Sequence, residues 1–305
     1  MDPVQVLLTI CTAATPLLLA ATGELVVERS GVLNLGVEGM MIVGAITAFA
    51  VAQGSGNAYL GALAGTVGGA AFSLLFAFLA LTLAANQVAS GLALTILGLG
   101  LSGLAGEAFT GMPGVRLAPI SIPFLSDLPV VGRLVFGQDA IFYASLVLVG
   151  AVSWFLFRSR AGLTLRSVGD NPASAHALGI DVTRVRTLAI VFGGGCAGLA
   201  GAQISLVYVP QWIEGMTAGR GWIALALVVF ASWRPVRVLA GAYLFGAVSI
   251  GQFHAQAFGL ALPSQLLSAL PYLVTIVVLV LIARNRRLTM LNTPSSLGRP
   301  FVPDR

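Results

Sequence analysis

The chain has 305 residues, of which 57% are hydrophobic and 9% charged, with a formal net charge of +5, where soluble domains carry roughly 25% charged residues. That balance excludes an ordinary soluble domain, and at ~20 apolar residues per crossing of a ~30 Å hydrocarbon core the length admits one polytopic bundle and little else. All 16 basic residues are arginine, so neither a phosphate loop of the form GxxxxGK[ST] nor a lysine Schiff base can be built from this chain.

Apolar windows fall at 4–22, 36–53, 59–83, 86–107, 139–157, 186–208, 219–233, 238–258 and 266–283, because each is close to the length that satisfies its own backbone while crossing lipid. They predict an all-α polytopic membrane domain over 1–305 with about nine spans, eight or ten being the alternatives since 22–36 and 108–138 read either way. Asp2 is the only charge before the first window, so a basic signal-peptide flank is lacking and a retained helix is expected.

The stretch ELVVERSGVLNLGVEGMMIVGA, 24–45, is the first anomaly. Glu24, Glu28 and Arg29 mark a helix end. Gly31, Asn34, Gly36 and Glu38 carry irregular backbone into the next span, where free N–H and C=O groups are tolerated only against a cavity or a neighbouring helix. Asn34 and Glu38 are therefore candidates both for lining a pathway and for capping. Asn86 and Gln87 open the fourth window, Asn86 as an N-cap or as a substrate contact. Interval 108–138 holds Pro113, Pro119, Pro123 and Pro129 among apolar residues, which rules out one regular helix and predicts a segment folded back over the outer mouth.

The longest polar interval is 158–187. Asp170 or Asn171 is placed to cap a helix, Pro172 suits its first position, and Gly179 can end it in the left-handed conformation. A two-turn helix lying along the membrane is expected, with docking favoured over mere connection. Next, GGGCAG at 193–198 satisfies the GxGxxG fingerprint, but that motif needs a preceding strand, and here it opens a membrane helix. Gly65 with Gly69, and Gly194 with Gly198, are instead small pairs four apart that let backbones approach. Gln203, Tyr208, Gln211, Trp212 and Glu214 gather at the end of the sixth window. Amide and aromatic groups together suit a neutral, hydroxylated, flat ligand, although aromatic residues there also serve as interface anchors. Cys11, Cys196, His176 and His254 show no disulfide or metal-ligand spacing. No nucleophile–base pair or carboxylate pair emerges, so the chain is read as a non-enzyme.

Alternating the spans puts thirteen arginines on one side and Arg116, Arg133 and Arg220 on the other. By the positive-inside rule the 158–187 loop and a 284–305 tail are cytoplasmic. Nucleic acid is not implied, because the arginines sit at helix ends.

The segments ERSGVLNLGVEGMMIVGA, NQVASGLAL, SVGDNPASAHALGIDVTRVR followed by GGGCAGLAGA, GRGWIALALVVFASWRPVR and PSSLGRP resemble the permease subunits of bacterial ABC importers. The resemblance covers most of the chain and is nearest to the simple-sugar and nucleoside branch of the branched-chain amino acid and ribose permease family. It implies a type II importer in the inner membrane: this chain, a second permease subunit that is a paralogue, a cytoplasmic ATPase that holds ATP and Mg²⁺, and an extracytoplasmic substrate-binding lipoprotein. No cofactor is implied in the chain itself. The family's coupling helix corresponds to Asp170, Asn171, Pro172, Ala175, His176 and Gly179. Candidate pathway or substrate residues are Asn34, Glu38, Asn86, Gln87, Gln203 and Tyr208. The expected cargo is a nucleoside or related ribose-containing compound. Alternatives are a simple sugar or a branched-chain amino acid, or, in another class, an ion-coupled secondary transporter. The sequence departs from the family at ASWRPVR, where relatives have a turn containing glycine or asparagine.

Overall fold

A computed structural model describes residues 3–120, 136–257 and 292–302, with 269–270, 273–274, 276–277 and 280. The helices are α1 (Pro3–Arg29), α2 (Val37–Ser55), α3 (Ala58–Ala77), α4 (Gln87–Gly106), α5 (Ala140–Arg158), α6 (Arg160–Asp170), α7 (Pro172–Ala177), α8 (Val182–Gln203), α9 (Arg220–Phe230) and α10 (Pro235–Ala257), and no β-strand occurs among the described residues. Single π-turns extend α3 to Thr82 and α8 to Tyr208.

Six of these helices are long and apolar enough to cross a membrane. The seventh expected span, 219–233, forms the 11-residue α9, about 16 Å long at 1.5 Å per residue and so only half a bilayer core. The eighth corresponds to α10, and the ninth lies largely outside the described residues. Interval 158–187 is also more ordered than expected. It holds two helices, α6 capped by the Ser159 side chain and α7 capped by Asn171. Sequence reading passes over α6 because its polar outer face hides an apolar strip, Leu165 and Val168, that is buried.

The centre of the bundle is a layer of α1, α2, α3 and α8. Glycine sets their spacing. A Cβ at Gly198 on α8 would overlap the backbone of Gly65 and Gly69 on α3, and one at Gly201 would overlap the Met41 carbonyl on α2. The predicted small pairs thus face one another, which converts the absence of side chains into backbone contact. Helices α1 and α8 run antiparallel, since Arg186 at the start of α8 meets Ser30 while Gln203 at its end donates to the Thr12 carbonyl.

The described part of the proline-rich interval packs against the end of α8. Gly114 N–H donates to Pro210 O, Leu117 N–H to Leu206 O, and the Gln53 amide to Pro113 O. Residues 121–135 lie outside the described residues.

Overpacking a glycine crossing costs about 1–3 kcal/mol. Gly198→Val is therefore expected to lower the melting temperature in detergent by several degrees, whereas Gly195→Ala, whose nearest neighbour would be an ordinary 3.6 Å contact with Thr66, should leave it within a degree or so. Equal effects of the two changes would contradict the packing.

Candidate functional site

Two crossings of the bundle are broken, and the breaks meet. After α1 the chain reverses at Ser30–Gly31, where Gly31 takes φ +88°, and runs back alongside α1 so that Asn34 N–H reaches the Glu24 carboxylate at 3.3 Å. Helix α2 starts only at Val37, within the protein. The second break follows Tyr208. Residues 209–219 return into the bundle without regular helix, with Trp212, Met216 and Thr217 buried, and α9 starts at Arg220.

Glu38, in the first turn of α2, joins the breaks. Its Oε1 accepts from Thr217 Oγ1 at 2.6 Å and Gly219 N–H at 2.8 Å, and its Oε2 from Gly221 N–H at 2.6 Å. A carboxylate at the start of α9 satisfies N–H groups that a helix N-terminus leaves without intrahelical partners and matches the positive end of the helix dipole. Gly221 is required there, because a Cβ would fall on the Glu38 backbone.

The first break is held by four side chains, from α8, α4 and the break itself. Arg186 Nε donates to Ser30 O at 3.1 Å, Leu33 N–H donates to Gln87 Oε1 at 2.8 Å, Thr95 Oγ1 donates to Leu35 O at 3.1 Å, and Gly36 N–H donates to Asn34 Oδ1 at 3.0 Å. The C-terminal segment adds Gly298 N–H to Gly31 O. Backbone that leaves the helix inside a bundle has no water to pair with, so these bonds stand in for the missing helical ones.

The same hub reaches α7. Arg186, 1% exposed, also donates to Ser296 Oγ and Arg299 O, and Ser296 donates through both N–H and Oγ to Gly169 O at the end of α6. Phe301 meets the His176 ring edge-on at 5.7 Å and packs on Val168, Ala175 and Val182. The described C-terminal segment is thus folded onto the protein, not a free tail.

Sequence candidates separate accordingly. Asn34, Glu38, Gln87 and Gln203 are buried, 0–4% exposed, and support the breaks or, for Gln203, the α1–α8 contact. Asn86 is exposed and caps α4 by accepting from Ala89 N–H. Tyr208 is half-buried, with the Arg220 guanidinium 5.0 Å from its ring centroid. Around α7, Asn171 accepts from Ser174 N–H, Pro172 holds the first turn, and Gly179 takes φ +83°. Asp170 and His176 are exposed. Ala175 requires correction: it is 3% exposed and faces its own protein, because in a six-residue helix one side must anchor to α6 and α8. The outward face belongs to Ala173, Ala177 and Leu178, the last 82% exposed.

Arg186, Ser296, Thr217 and Gly219 escaped the sequence reading. A signal existed for Arg186, the charge on which the 186–208 apolar window opens. The departure at ASWRPVR also has a structural meaning. Ser232 and Trp233 both adopt positive φ, +49° and +54°, the region glycine and asparagine favour. Trp233 compensates with its indole N–H on Glu28 Oε2 at 2.6 Å and its carbonyl on Arg29.

Residues 6–283 match the family model described as branched-chain amino acid transport system/permease component. A protein of Haloferax volcanii named as a candidate glucose ABC transporter permease is 45% identical, over 95% of this chain and 94% of its own length. The guanosine ABC transporter permease of Bacillus subtilis is 33% identical over 99% of each. A nucleoside ABC transporter permease of Lactococcus lactis is 32% identical over 88% of this chain and 89% of its own.

Removing Glu38 leaves donors unsatisfied at about 1–3 kcal/mol each, whereas an exposed N-cap is worth about 1 kcal/mol. Thermal unfolding in detergent should therefore rank Glu38→Ala as far more damaging than Asn86→Ala, with Glu38→Gln between them because it keeps part of the acceptor set. An Asn86→Ala loss as large as that of Glu38→Ala would refute the clamp.

Proposed function

The chain belongs to the branched-chain amino acid transport system/permease component family, and on that footing we propose that it is the membrane-spanning permease subunit of an ATP-binding cassette importer. It carries a neutral, polyhydroxylated compound, a nucleoside or a sugar, and its energy comes from ATP hydrolysed with Mg²⁺ on a separate cytoplasmic subunit. A second permease subunit and an extracytoplasmic substrate-binding lipoprotein complete the assembly. The bundle sits in the cell membrane with α7 and the C-terminal segment in the cytoplasm, an orientation supported by the thirteen-to-three arginine asymmetry.

The observation that carries this reading is the continuity between α7 and the broken crossings. From the exposed face of α7, contacts pass through Ala175 and Val168 to Gly169, through Ser296 to Arg186, and so to Ser30 and Gly31. A push on α7 by an ATPase is transmitted to the first break through buried hydrogen bonds, and from α2 to the second break through Glu38. An ion-coupled transporter fits less well. Such a mechanism asks for a free ligand near the midplane, and Glu38 already serves three donors.

The nucleoside reading draws on the Bacillus and Lactococcus relatives, and the sugar reading on the more similar Haloferax relative. Both cargoes are uncharged rings bearing several hydroxyls, which suits the amide and aromatic groups near Tyr208 better than it suits a zwitterionic amino acid.

Leu178→Glu is expected to leave the membrane level of the chain unchanged, while co-purification of the ATPase and uptake of radiolabelled guanosine or glucose are both lost. Ala175→Glu should instead lower the amount of folded chain, because it buries a charge without a partner. Uptake by this chain alone in proteoliposomes under an ion gradient, or normal uptake by the Leu178→Glu variant, would overturn the proposal.

A further inference from the structure

Where α5 ends and α10 begins, the protein carries a group of guanidinium side chains in which positive charge is in excess. A groove of about 430 Å³ is lined by Ser153, Phe157, Arg234, Pro235, Val236 and Arg237. It continues along α5 past Trp154 to Arg158. Arg166 of α6 lies over the Phe157 ring at 5.5 Å, and its buried Nε has no hydrogen-bond partner. Arg158, Arg234 and Arg237 are exposed, and no ion pair engages any of these four among the described residues. Of the nearby acids, Glu28 accepts from Trp233, and Asp170, one turn beyond Arg166 on α6, is an electrostatic neighbour of Arg29, which itself lies close to Arg166 and Arg234, so one exposed carboxylate faces several guanidinium groups. Like charges gathered in this way repel one another unless an anion joins them.

The groove is not only charged. Its walls below the arginines are apolar, with Trp154 63% and Val236 67% exposed, and they continue into the outward face of α5 at Leu146 and Val147. A basic rim above an apolar, aromatic wall at the end of two membrane helices has the polarity of a lipid at a bilayer interface, phosphate above and acyl chain below. The start of α10, with Pro235 in its first turn, adds the positive end of a helix dipole to the rim.

We propose that this groove binds the phosphodiester headgroup of an acidic phospholipid, held by Arg158, Arg234 and Arg237 with Arg166 beneath, while its acyl chains lie along Trp154 and Val236. The site is independent of the cargo and requires only that the chain be embedded in a membrane. Its position beside Arg29 and Trp233 puts the headgroup next to the turn that follows α9, so lipid charge bears on the same end of the bundle as α7.

The test is native mass spectrometry of the full chain released from nanodiscs of equal phosphatidylglycerol and phosphatidylcholine. The wild type should retain phosphatidylglycerol selectively through collisional activation. Retention should fall about fivefold for each guanidinium removed in the series Arg237→Gln, then Arg158→Gln/Arg237→Gln, both exposed sites whose variants should melt with the wild type. Equal retention of phosphatidylcholine would overturn the proposal. So would displacement of the lipid by an equimolar amount of inorganic phosphate, which would mark a site for soluble anions. Unchanged lipid retention accompanied by loss of the co-purifying ATPase in the double variant would overturn it too, assigning the surface to a protein partner.

Discussion

Between Ser30 and Gly36 the backbone leaves the helical state inside a membrane-embedded bundle, and four separate parts of the chain converge to satisfy it. Lipid and packed apolar side chains offer no hydrogen bonds, so each free N–H or C=O there would cost several kcal/mol. The partners come from α1 itself, α4, α8 and the C-terminal segment, through Glu24, Gln87, Thr95, Arg186 and Gly298. Residues as far apart in sequence as Gly31 and Gly298 are thereby tied to one turn, and the close glycine approach of α4, where a Cβ at Gly91 would meet the Leu35 and Gly36 backbone, brings those partners near.

This constraint explains how a half-length helix is stable within the bundle. Helix α9 spans too little of the bilayer to stand alone, and its N-terminus is buried. Glu38 supplies the missing acceptors and at the same time fixes α2 against the second break. The two broken crossings are thus one mechanical unit. Within the importer reading, a unit of this kind suits a permease, because irregular backbone within the bundle can alternate between two sets of partners while the straight helices around it keep their own.

Much of this was legible in the residues. The window pattern yields the helices, the glycine pairs yield the α3–α8 contact, and Asn171, Pro172 and Gly179 delimit α7 because caps act locally. The excess of polar residues at 24–45 marks a break in the helical pattern by itself. What was not legible is tertiary. Nothing local tells that Glu38 faces Thr217, or that Arg186 turns inward to Ser296 while other arginines of its loop face out. A six-residue alanine-rich helix carries no periodicity from which to read its inner side, so the residues of α7 do not by themselves tell that Ala175 faces inward. For α9, composition promised a span, and the glycines at 215, 219 and 221 that shorten it only acquire meaning beside Glu38.

Hydrogen–deuterium exchange followed at peptide level in the wild type and in Arg186→Met tests the central claim most directly. If distant side chains hold the break, residues 30–36 exchange in the wild type as slowly as the body of α2. The substitution then accelerates exchange over 30–36 and 292–302 together while leaving α3 protected. Rapid exchange of 30–36 in the wild type, or a variant in which those two segments are unchanged, would contradict it.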